Sequence, residues 1–331
     1  MSPSLSIQKG KQQLCILKYQ NPIIEKPEPQ FFEATDERII DPSLIVKRPY
    51  APIILKSSTS RKSYIEKVNA LKNHIKLGDI YEINFCIEFF AEKVNIDPIT
   101  VFLNLYQLTK APYSRLVKIH NDYIISASPE LFLEKKENVL ITKPIKGTIK
   151  RGRDIKEDEM LMSQLYYSVK ERTENVMAVD VARNDLSIVA ERGSVKVNKL
   201  YNIESFETVH QMVSTVSCEL KPNIGFNEII NATFPMASMT GAPKIKAMEL
   251  IDSFEDFKRE FYSGSLGLVD ESGNFQLSVL IRSIFYNSET KRLSLAVGSA
   301  ITHLCDPETE YEECLLKAKA LLAALDATIE P

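Results

Sequence analysis

The chain has 331 residues, of which 44% are hydrophobic and 26% charged, with a formal net charge of -3. That content supports a sizeable core, and the near-balanced charge gives no electrostatic case for a nucleic-acid partner, because phosphate binding needs a basic surplus on one face. The five cysteines, an odd count with no C-x-x-C pair, read as reduced thiols of a cytoplasmic protein; no signal-peptide core or membrane-length apolar run is present.

Residues 21–61 carry Pro22, Pro27, Pro29, Pro42, Pro49 and Pro52 and read as loop and short edge strand. From 58 to 78 the character changes. Ile65, Val68, Leu71 and Ile75 recur at helical spacing, and Gly78 follows as a stop. A second helix is expected over 101–108. Short strands at 115–119, 123–127 and 131–135, parted by turn residues, predict antiparallel hairpins. Residues 154–183 keep helical spacing without Gly or Pro. A further helix runs from Ala242 to about Phe254, with Pro243 suited to its first turn. Three strands are expected at 263–269, 275–286 and 293–301. The stretch 307–325 is an amphipathic helix with Tyr311, Leu315, Ala318, Leu322 and Leu325 on one stripe. Strands and helices mix without a βαβ rhythm, which predicts an α+β fold with antiparallel sheets. No boundary is visible after residue 60, so 1–60 read as a short N-terminal segment joined to one structural unit, 61–331.

No Walker A motif, GxGxxG, HExxH or GxSxG elbow is present, and His74, His120, His210 and His303 are scattered. Nucleotide-binding, zinc-hydrolase and serine-hydrolase chemistry therefore lose support. Several segments are instead dense in Gly, Pro and polar groups: Ser128-Pro129-Glu130, Pro144-Ile145-Lys146-Gly147-Thr148, Glu174-Asn175 with Asp180 and Arg183-Asn184-Asp185, and Ser238-Met239-Thr240-Gly241-Ala242-Pro243-Lys244. Ile281-Arg282, Gly298-Ser299-Ala300-Ile301, and Glu310 with Glu313 follow. Each alone reads as a turn or a solvated face.

In this order, GDIYEIN at 78–84, SPELFL at 128–133, PIKGT at 144–148, ENVMAVDVARNDL at 174–186, SMTGAPKIKAMELID at 238–252 and DPETEYEECLLKAKAL at 306–321 resemble the chorismate-utilising enzymes. The resemblance runs over 62–319. It implies a large antiparallel β-sandwich with helices packed outside, and a chorismate-binding catalytic unit over 61–331. Within the family, Lys146 is similar to the lysine of the aminodeoxychorismate synthases, where other members have alanine. The implied reaction joins chorismate and ammonia into 4-amino-4-deoxychorismate, a precursor of 4-aminobenzoate and folate. The alternatives are amination with loss of pyruvate, as in anthranilate synthases, and a non-catalytic chorismate-binding paralogue.

The resemblance also assigns roles. Lys146 would add covalently at C2 of chorismate as a neutral amine, its pKa lowered by desolvation; otherwise it only sets a positive charge near the carboxylates. Glu130 would protonate the leaving C4 hydroxyl, or serve only as a hydrogen-bonded loop carboxylate. Glu174 and Glu313, with Glu310, would bind Mg²⁺, a hard cation that takes oxygen ligands. Arg282 would hold a substrate carboxylate with its planar fork, helped by Tyr262 and backbone N–H groups near Ser299 and Ala300. Lys317 and Thr148 would stand near the substrate, His210 beside the ring or in the core, and Thr240 and Gly241 beneath the ring. Glu82 occupies a position that is lysine in the water-adding members and usually glutamine in the aminating ones. It either holds an ammonium ion near C4 or bonds a neighbour. No tryptophan-pocket motif and no glutaminase elbow are seen, so ammonia is expected from a partner glutamine amidotransferase or from solution.

Overall fold

A computed structural model of the chain describes residues 12–19, 27–33 and 52–330. Within these, β1 (Gln12–Leu17), β2 (Gln30–Glu33) and β3 (Ile53–Ser57) precede α1 (Arg61–Leu77), β4 (Glu82–Ala91), α2 (Pro98–Thr109) and β5 (Tyr113–Ile119). Next come β6 (Asp122–Ser128), β7 (Leu131–Lys136), β8 (Val139–Thr142), β9 (Ile145–Lys150), α3 (Ile155–Tyr167) and α4 (Val169–Val189). β10 (Lys196–Ser205), β11 (Val209–Glu219), α5 (Phe226–Thr233), β12 (Gly241–Ala242) and α6 (Lys244–Phe254) follow. The chain closes with β13 (Ser265–Asp270), β14 (Phe275–Val279), β15 (Ser283–Asn287), β16 (Leu293–Ile301), α7 (Pro307–Leu325) and β17 (Ala327–Ile329).

Local chemistry accounts for the helix ends. Ser60 caps α1 by accepting from the Ser63 N–H, and Gly78 closes it at φ 82°. Asp97 and Asp306 cap α2 and α7, each with proline in the first turn. The expected single helix over 154–183 is two. Ser168, extended at ψ 114°, ends α3 and caps α4, its side chain accepting from the Glu171 N–H. Pro243 stands one position before α6 rather than inside its first turn.

The strands form two sheets, one of nine in the order β10-β11-β8-β7-β14-β13-β1-β2 and one of eight in the order β17-β3-β4-β16-β15-β6-β5. Pairing is antiparallel apart from β17 with β3. β8 and β9 both pair with β11, and β12 pairs with β4. The strand expected over 275–286 is also two. β14 belongs to the first sheet and β15 to the second, and the chain crosses between them at Leu280–Ile281–Arg282, with Arg282 at φ 52°. A segment without Gly or Pro carries no local mark of such a crossing.

Alternation on β4 sets the layers. Ile83, Phe85, Ile87 and Phe89 belong to a core shared with α1, α2, α6 and α7, while Cys86 joins the core of the opposite sheet. Glu82 and Asn84 share the parity of Cys86 and so lie on the inner face. Ile16, Leu266 and Leu280 meet Ile124 between the sheets, and α4 and α5 pack on the first sheet. The result is an antiparallel sandwich with helices outside. All five cysteines are buried free thiols. No helix among the described residues is long and apolar enough to cross a membrane.

Candidate active site

A cavity of about 560 Å³ opens where β9, β11, β16, α4 and α7 meet. Glu130, Lys146, Thr148, Glu174, Tyr262, Arg282, Ala300, Glu310, Glu313 and Lys317 all line it. They come from segments separated by up to most of the chain, so the wall exists only in the folded state.

Strand parity decides which of the remaining expected residues reach the cavity. On β16, Ala296, Gly298 and Ala300 face inward and leave room for a ligand, whereas Ser299 points to the helix layer and donates to Glu310 of α7. On β11, Val209 and Gln211 line the cavity and His210 between them does not. The resemblance placed His210 beside the ring. Here its ring is fully buried between Ser205 Oγ at 2.9 Å and Asp158 Oδ1 at 2.9 Å. Arg151 grips the same Asp158 with two nitrogens and holds its carboxyl well below the usual carboxylate range. Thr240 and Gly241 are likewise set back from the cavity. The Thr240 hydroxyl donates to the Met236 carbonyl at 3.1 Å. Gly241 lets β12 close on β4, for a Cβ there would stand 2.2 Å from the Glu82 carbonyl oxygen.

At the inner end, Lys146 is buried and its ammonium donates to Glu82, also buried. Burial pulls the Lys146 pKa down, but Glu82, Glu174 and Glu130 outweigh it and hold the pKa above the usual lysine value. This corrects the expectation of a neutral amine: desolvation acts, and the surrounding carboxylates win. Glu82 is therefore engaged with Lys146. Glu130 is pushed up to about 7 by burial, against the lowering effects of Ser238 and Lys146, so it can carry a proton near neutrality.

At the outer end stands an acidic group. Glu174 is pushed up to about 7, first by burial and then by Glu82 and Glu171. Its Oε1 is buried with no hydrogen-bond partner. Glu310 is buried, and Glu313 lies 2.7 Å from Lys317 Nζ. Sequence reading missed Glu171, whose carboxylate packs against Gly147, a residue at φ 90° with no space for a Cβ. The signal was available, since Glu171 and Glu174 are i, i+3 neighbours on α4. Oxygen-only donors, with one buried and not hydrogen-bonded, suit a hard divalent cation. No three acidic, His or Cys side chains among the described residues are yet drawn together as a closed ligand set. Lys170 stands among them, 3.1 Å from Glu310 and 4.0 Å from both Glu174 and Glu313.

Two features on the walls await a ligand. Arg282 donates to the Lys317 carbonyl at 3.1 Å, and no carboxylate among the described residues is hydrogen-bonded to it. Burial lowers its pKa from the usual guanidinium value, a measure of how far it is desolvated. Gln211 Oε1 is a buried acceptor without a partner. Sequence reading also missed Gln211, and strand parity would have exposed it.

Residues 4–323 match the family model described as chorismate binding enzyme. The chain belongs to the chorismate binding enzymes. It is 42% identical over 264 residues to a protein named aminodeoxychorismate synthase, chloroplastic, from Arabidopsis thaliana, covering 79% of this chain and 28% of that one. It is 36% identical over 270 residues to aminodeoxychorismate synthase component 1 of Escherichia coli, covering 82% of this chain and 59% of that one. The chain thus spans between about a quarter and three fifths of these relatives. Among solved structures, anthranilate synthase component I from Streptococcus pneumoniae superposes with a TM-score of 0.82 at 24% identity, covering 97% of this chain and 82% of that one. That likeness establishes the sandwich as the family fold. Within this chorismate binding enzyme, the conjunction of Glu130, Lys146, Arg282 and the acidic cluster around one cavity marks the candidate active site.

Proposed function

We propose that the chain aminates chorismate at C4, forming 4-amino-4-deoxychorismate for 4-aminobenzoate and folate synthesis in the cytoplasm, with ammonia delivered by a glutaminase partner. The observation that carries this reading is Lys146 on the cavity wall between Glu82 and Glu130, in a chain whose relatives include proteins named aminodeoxychorismate synthase.

Arg282 and Lys317 supply cationic walls for a substrate with two carboxylates. Glu130, protonated near neutrality, gives its proton to the departing C4 hydroxyl, which leaves as water. Lys146 bonds to C2 once its proton has passed to the carboxylate it already touches, and the ring electrons shift toward C4 as the C–O bond breaks. Ammonia then bonds at C4, the electrons shift back, and Lys146 is released as the amine. Glu174, Glu310 and Glu313, with Glu171 beside them, would hold Mg²⁺, which when bound neutralises a substrate carboxylate.

Product identity tests the reading. The purified chain is incubated with chorismate, Mg²⁺ and ammonium salt at alkaline pH, and the products are analysed by mass spectrometry. A product that keeps the enolpyruvyl group and yields 4-aminobenzoate with an added lyase is expected. Anthranilate with pyruvate would assign the chain to the other aminating reaction.

A further inference from the structure

We propose that Lys170 is a built-in counter-cation, binding together the carboxylates of Glu174, Glu310 and Glu313 until a divalent cation displaces it. The proposal rests on reading this cluster as a metal site. Three lysines serve the acidic wall, and each is held differently. Lys146 is buried on Glu82, and Lys317 is anchored by the Gly298 carbonyl at 2.7 Å as well as by Glu313. Lys170 has no backbone anchor among the described residues. Its ammonium reaches carboxylates of both α4 and α7, 3.1 Å from Glu310 and 4.0 Å from Glu174 and Glu313.

Two further observations point the same way. Lys170 lies in the first turn of α4, where the helix dipole disfavours a cation, so its position does not serve the helix. Its side chain is 47% exposed, against 9% for Lys146, so it can swing into water on its flexible stem without opening the core. A lysine ammonium and a hard divalent ion compete for the same oxygens. The apparent metal affinity is therefore reduced by the fraction of molecules in which Lys170 is docked.

Mn²⁺ alone, without chorismate, is titrated into the wild-type chain, Lys170→Met and Lys170→Arg, with free Mn²⁺ read by electron paramagnetic resonance. Lys170→Met should bind at least tenfold more tightly than wild type. Its metal-free form should melt at a lower temperature and gain more on adding Mn²⁺, because its carboxylates then repel one another unshielded. Lys170→Arg should keep the wild-type weakness. Should Lys170→Met fail to fold, Lys170→Gln takes its place. Equal or weaker binding by the folded neutral variant overturns the proposal. Absence of binding by every variant also overturns it, together with the metal reading, while the amination reading still stands or falls on the product assay.

Discussion

Two lysines in proline- and glycine-bordered segments, Lys146 and Lys244, are both paired with a carboxylate, yet their surroundings push them in opposite directions. Lys244 donates to Asp185 at 2.5 Å and to the Thr233 carbonyl at 3.2 Å, tying α6 to α4 and α5. It has one carboxylate, burial dominates, and its pKa is lowered. Asp185 is pushed up to about 6 by the same burial. Lys146 meets Glu82 with Glu174 and Glu130 close by, and its pKa is raised. Lys244 also spends its contacts inside the protein, while Lys146 opens on the cavity. Burial by itself therefore does not set a lysine's protonation; the number of carboxylates around it does. The two pairs also differ in purpose. One joins helices, and the other stands on the wall of the candidate site.

The strongest test separates those purposes. Lys146→Ala should reduce 4-amination by on the order of 10³-fold or more in single-turnover assays, since the attacking group is gone. Undiminished 4-amination would remove Lys146 from the covalent step, and anthranilate-type product from this variant would show that the lysine directs the site of amination. Lys244→Ala should instead cost about 3–5 kcal/mol in urea unfolding, because Asp185 is left buried without a partner. A stability change near zero would dissolve the contrast between the pairs.

Glu130→Gln should lower kcat by about 10²–10⁴-fold, the range of a positioned general acid. In the wild type the acid must carry its proton, so its contribution falls as pH rises through about 7. That limb of the pH–rate profile should vanish in Glu130→Gln. The stability sign is the same. A carboxyl whose pKa is raised on folding contributes its stability fully below its unfolded value and loses it as pH climbs through about 7.

At the acidic end, Glu313→Gln should weaken Mg²⁺ binding by about 10–100-fold in calorimetry, as losses at metal sites commonly do; an unchanged isotherm would reject this carboxylate as a ligand. The smallest effect belongs to His210. Removing its contact with Asp158 by His210→Leu should cost about 1–3 kcal/mol of stability, the penalty for an unpaired buried group. A change confined to KM for chorismate would return His210 to the cavity wall.

Much of this was legible before folding. Ser60 and Gly78 bracket α1 as their chemistry demands, and the stripe Tyr311–Ala318–Leu325 buries as an amphipathic face must. Ten of the expected site residues line one cavity, because the strands and helices that carry most of them converge there. The misses share a cause. Ser168 and the crossing at Leu280–Arg282 break elements without Gly or Pro, so no local breaker announces them. His210 sits in a matching motif but faces away from the cavity, and Thr240 and Gly241 are set back from it. A one-residue step along a strand reverses a side chain, and a motif does not state which face is wet.

The amino-acid order by itself determined the α+β class, the stop of α1 at Gly78 and the set of charged residues available to the site. Tertiary structure decided their states. Glu82 and Lys146 are 64 positions apart, and Lys170 and Glu310 are 140 apart. Protonation and pairing at such distances follow from burial and Coulomb fields, which fall off through space and have no counterpart along the chain.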